Sequence, residues 1–538
     1  MANDLRFPIS KMSFAGYLFA TLEAICAVAL LATSAYLISR ASEQPPILYL
    51  MVAVVGVRAF ALGRATFRYL QRLALHSAVF HNLGQVRPKL FQKLVQLVPG
   101  GIQHRAQSLE RFTSDVDRLQ DGPLRVLTPL LQATAATAAM LAIALLIHPL
   151  VALALMLTSV FFAVAALLLA AKAGKQFEMD RIFAAQQLRE ELHRLLSQID
   201  INNSYGWTQS LREDIQKSQD QLLRLDRRRT LPLASSGAIL SLGSVITAVL
   251  GGWLAAVNSA EISPVTIAVL VLMPLSVFDV YSQLPAVVSA FQGYKSSKQR
   301  LQQLLDRDIA AELMVPEGDR QLQSVKEIEL EELSVARGGK QVLTSLSLSL
   351  TAGYLAAVCG PSGSGKTSLA LVISSLVAPS SGEMRINGIP SGDYSLESRR
   401  RQIILIEQDP HLFRGSLRQN LEISGELSDS KMLEALDAVG LKAEFEQRGL
   451  LDAQIHEDSS NVSGGQAQRI AIARGLLAGA SVLILDEPSS GLDRKNALEL
   501  FSLLHRLAKS GMIVVAVTHD QELANSCDQQ LSLDVLRH

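Results

Sequence analysis

The chain has 538 residues, of which 49% are hydrophobic and 19% are charged, and its mean hydropathy is +0.24. This length exceeds what one hydrophobic core accommodates, so we expect two or three domains, and the apolar excess argues against a wholly soluble protein. The formal net charge is zero, which gives no general attraction to nucleic acid, so no nucleic-acid partner is expected. The three cysteines, Cys26, Cys359 and Cys527, are widely separated and show neither metal-ligand spacing nor a disulfide framework.

Six long apolar runs dominate the first 300 residues, and each approaches the roughly 20 residues that a helix needs to cross a bilayer. Buried helices of a soluble protein are the alternative for any single run, but six of them favour a membrane domain. The N-terminus lacks the basic start and early cleavage site of a removable signal peptide, so the first run is expected to stay in the membrane. The second run is interrupted by Arg58, Arg64 and Arg68. The predicted spans are 13–39, 46–70, 124–147, 150–171, 233–257 and 262–291.

The distribution of lysine and arginine predicts how these spans are oriented. Residues 126–171 and 231–294 contain neither residue type, whereas 64–125 and 172–230 are rich in both and helical in pattern. Because Lys and Arg accumulate in cytoplasmic segments, the two rich segments are predicted to be cytoplasmic hairpins, with both termini on the same side. The external loops are then very short, at Ser42–Pro46, His148–Pro149 and Asn258–Ser263.

Each hairpin contains a stretch of capping-type residues that interrupts its helical pattern, at Thr113–Gln120 and at Ile199–Trp207. Such a stretch is either a turn that docks on another domain or an ordinary solvated helix end, and we favour docking. Composition changes near residue 300, where ordinary charge and alternating strand and helix patterns begin. The predicted domains are a transmembrane domain at 1–305, a linker at 306–325 and a nucleotide-binding domain at 326–538.

A glycine-rich phosphate loop follows a short apolar strand in the last domain. The run from Gly360 to Thr367 fits the pattern G-x-x-x-x-G-K-[ST], in which backbone N–H groups and a helix N-terminus bind phosphate oxygens. Lys366 is predicted to reach the β- and γ-phosphates of a nucleotide, and the Thr367 hydroxyl to ligate Mg²⁺. The predicted nucleotide-binding residues are Gly360, Pro361, Ser362, Gly363, Ser364, Gly365, Lys366, Thr367 and Ser368.

A second apolar strand ends in two carboxylates, Asp486 and Glu487. Asp486 is predicted to hold Mg²⁺ through water, and Glu487 to polarise the attacking water as a general base. A purely structural role for this acidic pair is the alternative.

Between these motifs lies the run Val462-Ser-Gly-Gly-Gln466, and the whole set resembles the nucleotide-binding domain of ATP-binding-cassette (ABC) proteins. The resemblance implies that Gln408 senses Mg²⁺ and contacts the membrane domain, that His519 contacts the γ-phosphate, and that Asp493 belongs to a communication loop. With six spans and two internal hairpins, the fold expected is a membrane α-helical ABC exporter domain followed by an α/β P-loop ATPase domain. In this family Ser463, Gly464, Gly465 and Gln466 complete the ATP site of the opposite subunit, which implies a dimer.

Two positions depart from the ABC pattern. Val462 replaces the usual Leu, which is a mild apolar change. The aromatic residue that stacks on adenine is missing, and Arg337 could stack its guanidinium there instead; otherwise the chain's own site would bind ATP more weakly. Because Lys366, Glu487 and His519 are all present, competent ATP hydrolysis is still expected.

Four runs in the first half, Ser34–Arg40, Ala53–Arg58, Arg68–His76 and Arg111–Asp121, resemble the CydC subunits of the heterodimeric CydDC exporter family. The resemblance implies a CydD-like partner, a place in the bacterial inner membrane, export of a small thiol (L-cysteine or glutathione) and support of cytochrome bd assembly. A haem-transporting or haem-regulated ABC exporter and a multidrug or lipid exporter are alternatives within this architecture. A soluble ABC ATPase shares the ATPase motifs but lacks the spans.

Ionisable residues inside the predicted spans point to a polar cavity, because such groups are unfavourable in lipid. Glu23, Arg58 and Asp279 fall within spans and could meet the two ends of a zwitterionic thiol; mutual pairing between helices, or snorkelling, is the alternative. Arg64, Arg68 and Arg72 share one helix face and are predicted to anchor the cytoplasmic membrane surface rather than touch substrate.

His76 matches a family position suspected of ligating haem b, and imidazole is a common axial ligand of haem iron. A surface or interhelix histidine is the alternative. Ser77 replaces the Asp that commonly follows in relatives, which weakens the match.

Overall fold

A computed structural model of the chain describes residues 10–98, 111–197, 208–425, 427–456 and 461–533. The chain divides into two compact units, with the main boundary between Arg307 and Asp308. The first unit is α-helical, and the second combines β-sheets with helices.

Six helical segments of the first unit are long and apolar enough to cross a membrane, which confirms the six predicted spans. Three of its helices have 49 or 50 residues, or about 75 Å at 1.5 Å per residue, and so extend well beyond a bilayer core of about 30 Å. The helices are α1 (Lys11–Ala41), α2 (Ile47–Gln96), α3 (Thr128–Ile147), α4 (Pro149–Ser197), α5 (Thr208–Val257), α6 (Pro264–Tyr281) and α7 (Leu284–Leu305). Short helical turns at Arg111–Asp115, Val116–Arg118 and Gly122–Leu127 lead into α3, the first and third in π-helical form.

The sixth predicted span, 262–291, is divided between two helices. The division falls at Ser282 and Gln283, immediately before a Leu-Pro pair at the start of α7. Proline has no backbone N–H to donate and is best accommodated in the first turn of a helix, so Pro285 favours a new helix start over continuation.

Small residues let the membrane helices approach one another closely. Ala24, Ala136 and Ala144 are fully buried. A Cβ on Gly251 of α5 would lie 2.9 Å from the Leu270 carbonyl oxygen of α6, so this crossing requires glycine. Larger apolar side chains such as Leu146 (89% exposed) cover the outside of the bundle. This distribution suits helices surrounded by lipid, where close van der Waals packing drives their association.

Residues 113–120, predicted to interrupt a helix as a docking turn, instead lie mostly in helical turns, so the predicted interruption is wrong. Asp115 is buried and accepts hydrogen bonds from Arg300 Nε at 2.8 Å and Nη2 at 2.5 Å, and from the Ser297 hydroxyl at 2.9 Å. Asp115 thus forms an internal ion pair with α7, and docking of this stretch on another domain stays a prediction. The second candidate turn, 199–207, lies outside the described residues.

The second unit contains a parallel five-stranded sheet, an antiparallel four-stranded sheet and a two-stranded ribbon. Its strands are β1 (Glu327–Arg337), β2 (Lys340–Thr351), β3 (Leu355–Cys359), β4 (Ser381–Ile386), β5 (Ile389–Pro390), β6 (Ile403–Ile406), β7 (Gly415–Ser416), β8 (Gln454–Ile455), β9 (Val482–Asp486), β10 (Ile513–Val517) and β11 (Gln529–Ser532). Its helices are α8 (Lys366–Ile373), α9 (Leu396–Gln402), α10 (Leu417–Leu421), α11 (Asp429–Ala438), α12 (Lys442–Glu446), α13 (Gly464–Leu477), α14 (Arg494–Lys509) and α15 (Gln521–Asn525).

The parallel sheet has the strand order β11-β3-β10-β9-β6, and its three central strands, β3, β10 and β9, are almost wholly buried. Strand β10 pairs with β3 on one side and with β9 on the other. The carboxyl ends of parallel strands meet at one sheet edge, and ligands bind at that edge. This order therefore places the loop after β3 close to the end of β9.

Most of the segment predicted as a linker, 306–325, packs on the second unit. The Glu312 carbonyl accepts the Ala378 N–H at 2.7 Å, and the Arg320 N–H donates to the Asp393 carbonyl at 3.2 Å. These backbone bonds attach the segment to the second unit, which begins at Asp308 on this side of the boundary.

We predict that Asp115→Asn lowers the free energy of unfolding by about 1.5–3 kcal/mol, because it removes the charge from a buried hydrogen-bonded pair. Thermal unfolding of the detergent-purified protein, followed by circular dichroism, measures the loss. Asp117→Asn is the matched control: Asp117 pairs with Arg87 at 2.8 Å, but both side chains are about half exposed, so about 0–1 kcal/mol is expected. Equal shifts in the two variants would contradict the role given to the buried pair.

Candidate functional site

The phosphate loop is shaped by glycines between β3 and α8. Gly360 has φ +151°, and a Cβ there would lie 2.4 Å from the Leu533 carbonyl oxygen. Gly365 has φ +92°, and its Cβ would lie 2.7 Å from the Leu343 side chain of β2. No other residue fits both positions without strain, so the loop keeps the tight path by which backbone N–H groups approach phosphate oxygens.

Lys366 begins α8 and is mostly buried at the mouth of the loop. Its ammonium donates to the carbonyls of Gly360 at 2.7 Å and Pro361 at 3.1 Å, and it lies 4.0 Å from Glu487 Oε1. The Ser364 hydroxyl is buried and has no hydrogen-bond partner among the described residues. A cation and an unused hydroxyl beside a helix N-terminus fit the phosphates of a nucleotide.

Thr367 and Asp486 form a candidate magnesium site at the edge of the parallel sheet. The Thr367 hydroxyl donates to Asp486 Oδ2 at 2.8 Å, while Asp486 Oδ1 is buried and unpartnered within the described part of the chain. Burial raises the pKa of the Asp486 carboxyl, and the neighbouring Glu487 carboxylate raises this pKa further. The hydrogen bond from Thr367 acts in the opposite direction and lowers it. A bound cation would favour the ionised form. The described residues contain no cluster of three His, Cys, Asp or Glu, and Mg²⁺ commonly takes one or two carboxylates plus substrate phosphates.

Glu487 directly follows β9 and has a left-handed backbone conformation, with φ +47°. Its N–H donates to the Val517 carbonyl at 2.8 Å, which holds the residue between the ends of β9 and β10. Glu487 Oε2 lies 2.6 Å from His519 Nδ1. Non-glycine residues in this conformation are uncommon and often occur at functional sites. The structure thus brings Glu487, His519 and Lys366 together.

Gln408 lies in the loop after β6 and is hydrogen-bonded to another loop of the site and to helix α13. Its side-chain amide Nε2 donates to the Ser490 hydroxyl at 2.9 Å, and its backbone carbonyl accepts from Gln468 Nε2 at 3.5 Å. Gln468 is buried on α13, and its role was not found from the sequence because a single Gln within a helix carries no motif. These contacts link Gln408 to the helix that follows the Ser-Gly-Gly element.

The Ser-Gly-Gly element forms the N-terminus of α13. Ser463 caps this helix, and Ser463 and Gln466 bond reciprocally, at 3.0 and 3.3 Å. Gln466 also donates to Glu444 at 2.7 Å, a contact between distant segments that sequence reasoning missed. Among the described residues, the side-chain hydrogen bonds of Ser463 and Gln466 go to each other and to Glu444, not to the phosphate loop of the same chain.

Asp493 caps α14, accepting the Asn496 N–H at 3.2 Å, and lies one residue after Leu492. A Cβ on Gly465 would lie 3.2 Å from the Leu492 side chain. The loop that ends in Asp493 therefore packs beside the Ser-Gly-Gly element.

Arg337 lies at the end of β1, before the turn to β2. Its Nε is 3.5 Å from Glu312 Oε1, and the other carboxylate oxygen of Glu312 accepts the Gly338 N–H at 3.0 Å. Sequence reasoning did not identify Glu312, which lay within the predicted linker. Stacking of Arg337 on adenine stays a prediction, and Glu312 is the residue that positions its guanidinium.

The membrane unit contains a polar cavity of about 420 Å³. Arg64 of α2 lies 3.5 Å from Glu23 of α1 and 3.3 Å from Asp279 of α6. Buried Gln132 of α3 donates to Glu23 at 3.0 Å. The walls include Glu23, Arg64, Arg68, Gln71, Arg72, His76, Thr128, Gln132 and Asp279.

This cavity bears on two predictions about the membrane charges. Arg58 was grouped with Glu23 and Asp279, but it does not line the cavity, and Arg64 occupies that place. Arg64, Arg68 and Arg72 all line the cavity, and their contact with the cytoplasmic membrane surface stays a prediction. Arg58 and Arg64 lie six residues apart, which turns the first onto a different face of α2, whereas a spacing of four keeps the other three aligned.

Comparisons with known proteins agree with this architecture. The ABC transporter family model matches residues 343–490. The chain is 28% identical over 487 residues to the glutathione/L-cysteine transport system ATP-binding/permease protein CydC of Escherichia coli (strain K12), covering 87% of this chain and 82% of that protein. It is 26% identical over 523 residues to the corresponding CydD protein of Bacillus subtilis (strain 168), covering 94% and 89%. An ATP-dependent lipid A-core flippase of Vibrio vulnificus (strain CMCP6) is 28% identical over 342 residues, covering 62% and 57%.

Among solved structures, a bacterial Atm1-family ABC exporter with ATP bound superposes with a TM-score of 0.80. The match covers 98% of this chain and 95% of that one, at 16% sequence identity. It confirms the predicted exporter fold with its C-terminal α/β ATPase domain. The chain is thus a multi-pass, ATP-hydrolysing transporter subunit, and its sequence is CydC-like over most of its length.

We predict that Glu487→Gln lowers ATP turnover by about 100-fold or more, because an amide cannot take the proton of the attacking water. ATP binding should persist, since Lys366 and the loop N–H groups are unchanged. Turnover by the assembled transporter and equilibrium binding of ATP measure the two effects. Glu434→Gln, on the exposed face of α11, is the matched control and should retain turnover. Full activity of the Glu487 variant would remove this carboxylate from the role of base.

Proposed function

We propose that this ABC exporter subunit, CydC-like in sequence, couples ATP hydrolysis to export of a small thiol, L-cysteine or glutathione, across the bacterial inner membrane. Such export would support cytochrome bd assembly. The observation that carries the proposal is the cavity around Arg64, Glu23 and Asp279, because charged groups inside a membrane unit are retained at functional sites. Groups of both signs suit a zwitterionic amino acid or peptide better than an apolar drug or a lipid chain. The names of the two similar transport proteins give the same cargo class.

The residues at the ATP site take complementary roles in this proposal. Lys366 and the loop N–H groups hold the β- and γ-phosphates, and Thr367, Asp486 and Gln408 hold Mg²⁺, which offsets phosphate charge when bound. His519 Nδ1–H donates to Glu487 Oε2, which leaves Oε1 on the side of Lys366, 4.0 Å away. Glu487 is thereby oriented to accept a proton from water beside the γ-phosphate. To contact that phosphate through Nε2 as well, His519 must carry a proton on each ring nitrogen.

The proposed working form is a dimer of two ABC half-transporters. Ser463, Gly464 and Gly465 form a helix N-terminus suited to phosphate. The described side-chain hydrogen bonds of this element join Ser463, Gln466 and Glu444, and none goes to the phosphate loop of the same chain. Such an element is useful if it completes the ATP site of a partner. We propose a CydD-like partner, giving a heterodimer with both ATPase domains and all termini in the cytoplasm.

Transport by the reconstituted heterodimer tests the cargo. We expect ATP-dependent uptake of cysteine or glutathione into proteoliposomes whose ATPase domains face outward, with thiol-stimulated ATPase activity. Haem, lipid A and a hydrophobic drug are the comparison substrates, and Glu487→Gln provides the control without turnover. Stimulation by lipid or drug, with no thiol uptake, would contradict the proposal and favour the lipid or multidrug alternative.

A second candidate function is haem binding or haem transport, and the position of His76 favours it. His76 is exposed and lines the cavity one helical turn from Arg72, with its ring 6.0 Å from that of Phe80. An imidazole beside guanidinium groups offers an axial ligand for iron and counter-charges for propionates. The donor set on α2 therefore fits haem b.

His76→Ala tests haem binding without reference to transport. If His76 ligates haem, the variant should lose the Soret band that the wild-type protein develops with haemin. His81→Ala is the control, since His81 lies on the same helix, contacts Gln85 and is absent from the cavity wall. Identical spectra for wild type and His76→Ala would rule out this ligand.

A further inference from the structure

The side-chain amide of Gln466 is held in one orientation by two groups whose hydrogen-bonding roles are fixed. Its Nε2 lies 2.7 Å from Glu444 Oε2, and its Oε1 lies 3.0 Å from the Ser463 backbone nitrogen. An ionised carboxylate can only accept hydrogen bonds and a backbone N–H can only donate one, so the amide cannot be turned over. Glu444 therefore determines which end of the Gln466 amide faces Ser463.

The orientation of Gln466 sets the hydrogen bonding of Ser463. The Ser463 N–H donates to Gln466 Oε1, and the Ser463 hydroxyl oxygen accepts the Gln466 N–H at 3.3 Å. A hydroxyl has one proton to donate, and no acceptor for this one occurs among the described residues. Gly464 and Gly465 begin α13, where backbone N–H groups lack an intrahelical acceptor. The element thus presents one hydroxyl proton and two N–H groups to an anion.

Glu444 is itself fixed relative to α13. The next residue, Phe445, is 1% exposed and belongs to the same apolar core as Ala467 and Ile470 of α13. Arg469 of α13 lies 3.4 Å from Glu444 Oε1, so each oxygen of this carboxylate has a partner on that helix. The short helix α12 therefore holds the carboxylate at one place beside the start of α13.

We infer that Glu444 is a positioning residue for the ATP bound in the phosphate loop of the partner subunit. It acts through Gln466 and Ser463 on the γ-phosphate and touches no nucleotide itself. The inference rests on the proposed dimer, in which the Ser-Gly-Gly element completes the partner's ATP site. The negative charge of Glu444 by itself disfavours a phosphate nearby. Removal of the carboxylate therefore weakens ATP binding if positioning dominates and strengthens it if charge dominates.

The two ATP sites of the full heterodimer can be measured separately by photolabelling with azido-ATP, which reacts beside its base and labels the subunit whose phosphate loop holds it. Glu444→Met removes the acceptor at similar side-chain length and should weaken ATP binding at the partner subunit by about tenfold or more. Binding at this chain's own phosphate loop should stay unchanged. Glu444→Gln keeps an oxygen that accepts from Gln466 Nε2 and should restore most of the affinity.

Glu499→Met is the matched control, because Glu499 lies 3.3 Å from Arg469 but has no contact with Gln466 among the described residues. It should leave both sites unchanged. Unchanged or tighter binding in Glu444→Met, an equal loss in Glu499→Met, or a loss shared by both ATP sites would overturn the inference and leave the proposed dimer intact. Subunits that stay apart with ATP bound would overturn the dimer and the inference together.

Discussion

The pairing of β10 with β3 on one side and β9 on the other is the constraint on which the ATP site depends. Each strand is held by a continuous ladder of parallel backbone hydrogen bonds, and all three are buried. Since the strands run in the same direction, the phosphate loop after β3 and the carboxylates after β9 emerge at one edge. Thr367 and Asp486 are 119 positions apart in sequence, yet they meet at 2.8 Å. A register shift in this ladder would move the lysine and the hydroxyl that follow β3 away from the carboxylates at the end of β9.

The membrane unit buries charged side chains in two ways, one in its predicted cytoplasmic hairpin and one within its spans. Asp115 is satisfied completely by Arg300 and Ser297, which makes it a structural ion pair. Around Arg64 the carboxylates and the guanidinium lie at 3.3–3.5 Å beside an open cavity, so their charges stay available to a ligand. The same chemistry thus serves stability at one place and recognition at another.

Motifs made of contiguous residues could be predicted well from the sequence. The phosphate loop, Asp486–Glu487 and the Ser-Gly-Gly helix start each contain their geometry within a few neighbouring positions, and the long apolar runs predict spans by length and hydropathy alone. Residues that act across long separations could not be found in this way. Glu312, Glu444 and Gln468 hold site residues from 22 or more positions away, and nothing in their local sequence indicates it.

The sequence by itself determined an exporter-type arrangement of six spans and, apart from the adenine-stacking aromatic residue, the set of ATPase motifs, because hydropathy and local backbone chemistry are properties of short segments. Only the tertiary structure decided which charges meet in the membrane unit. Arg58 and Arg64 both interrupt the same apolar run, and pattern alone grouped the wrong one with Glu23 and Asp279. The rotation of α2 against α1 and α6 settles the pairing, and that rotation follows from how side chains of several helices pack together.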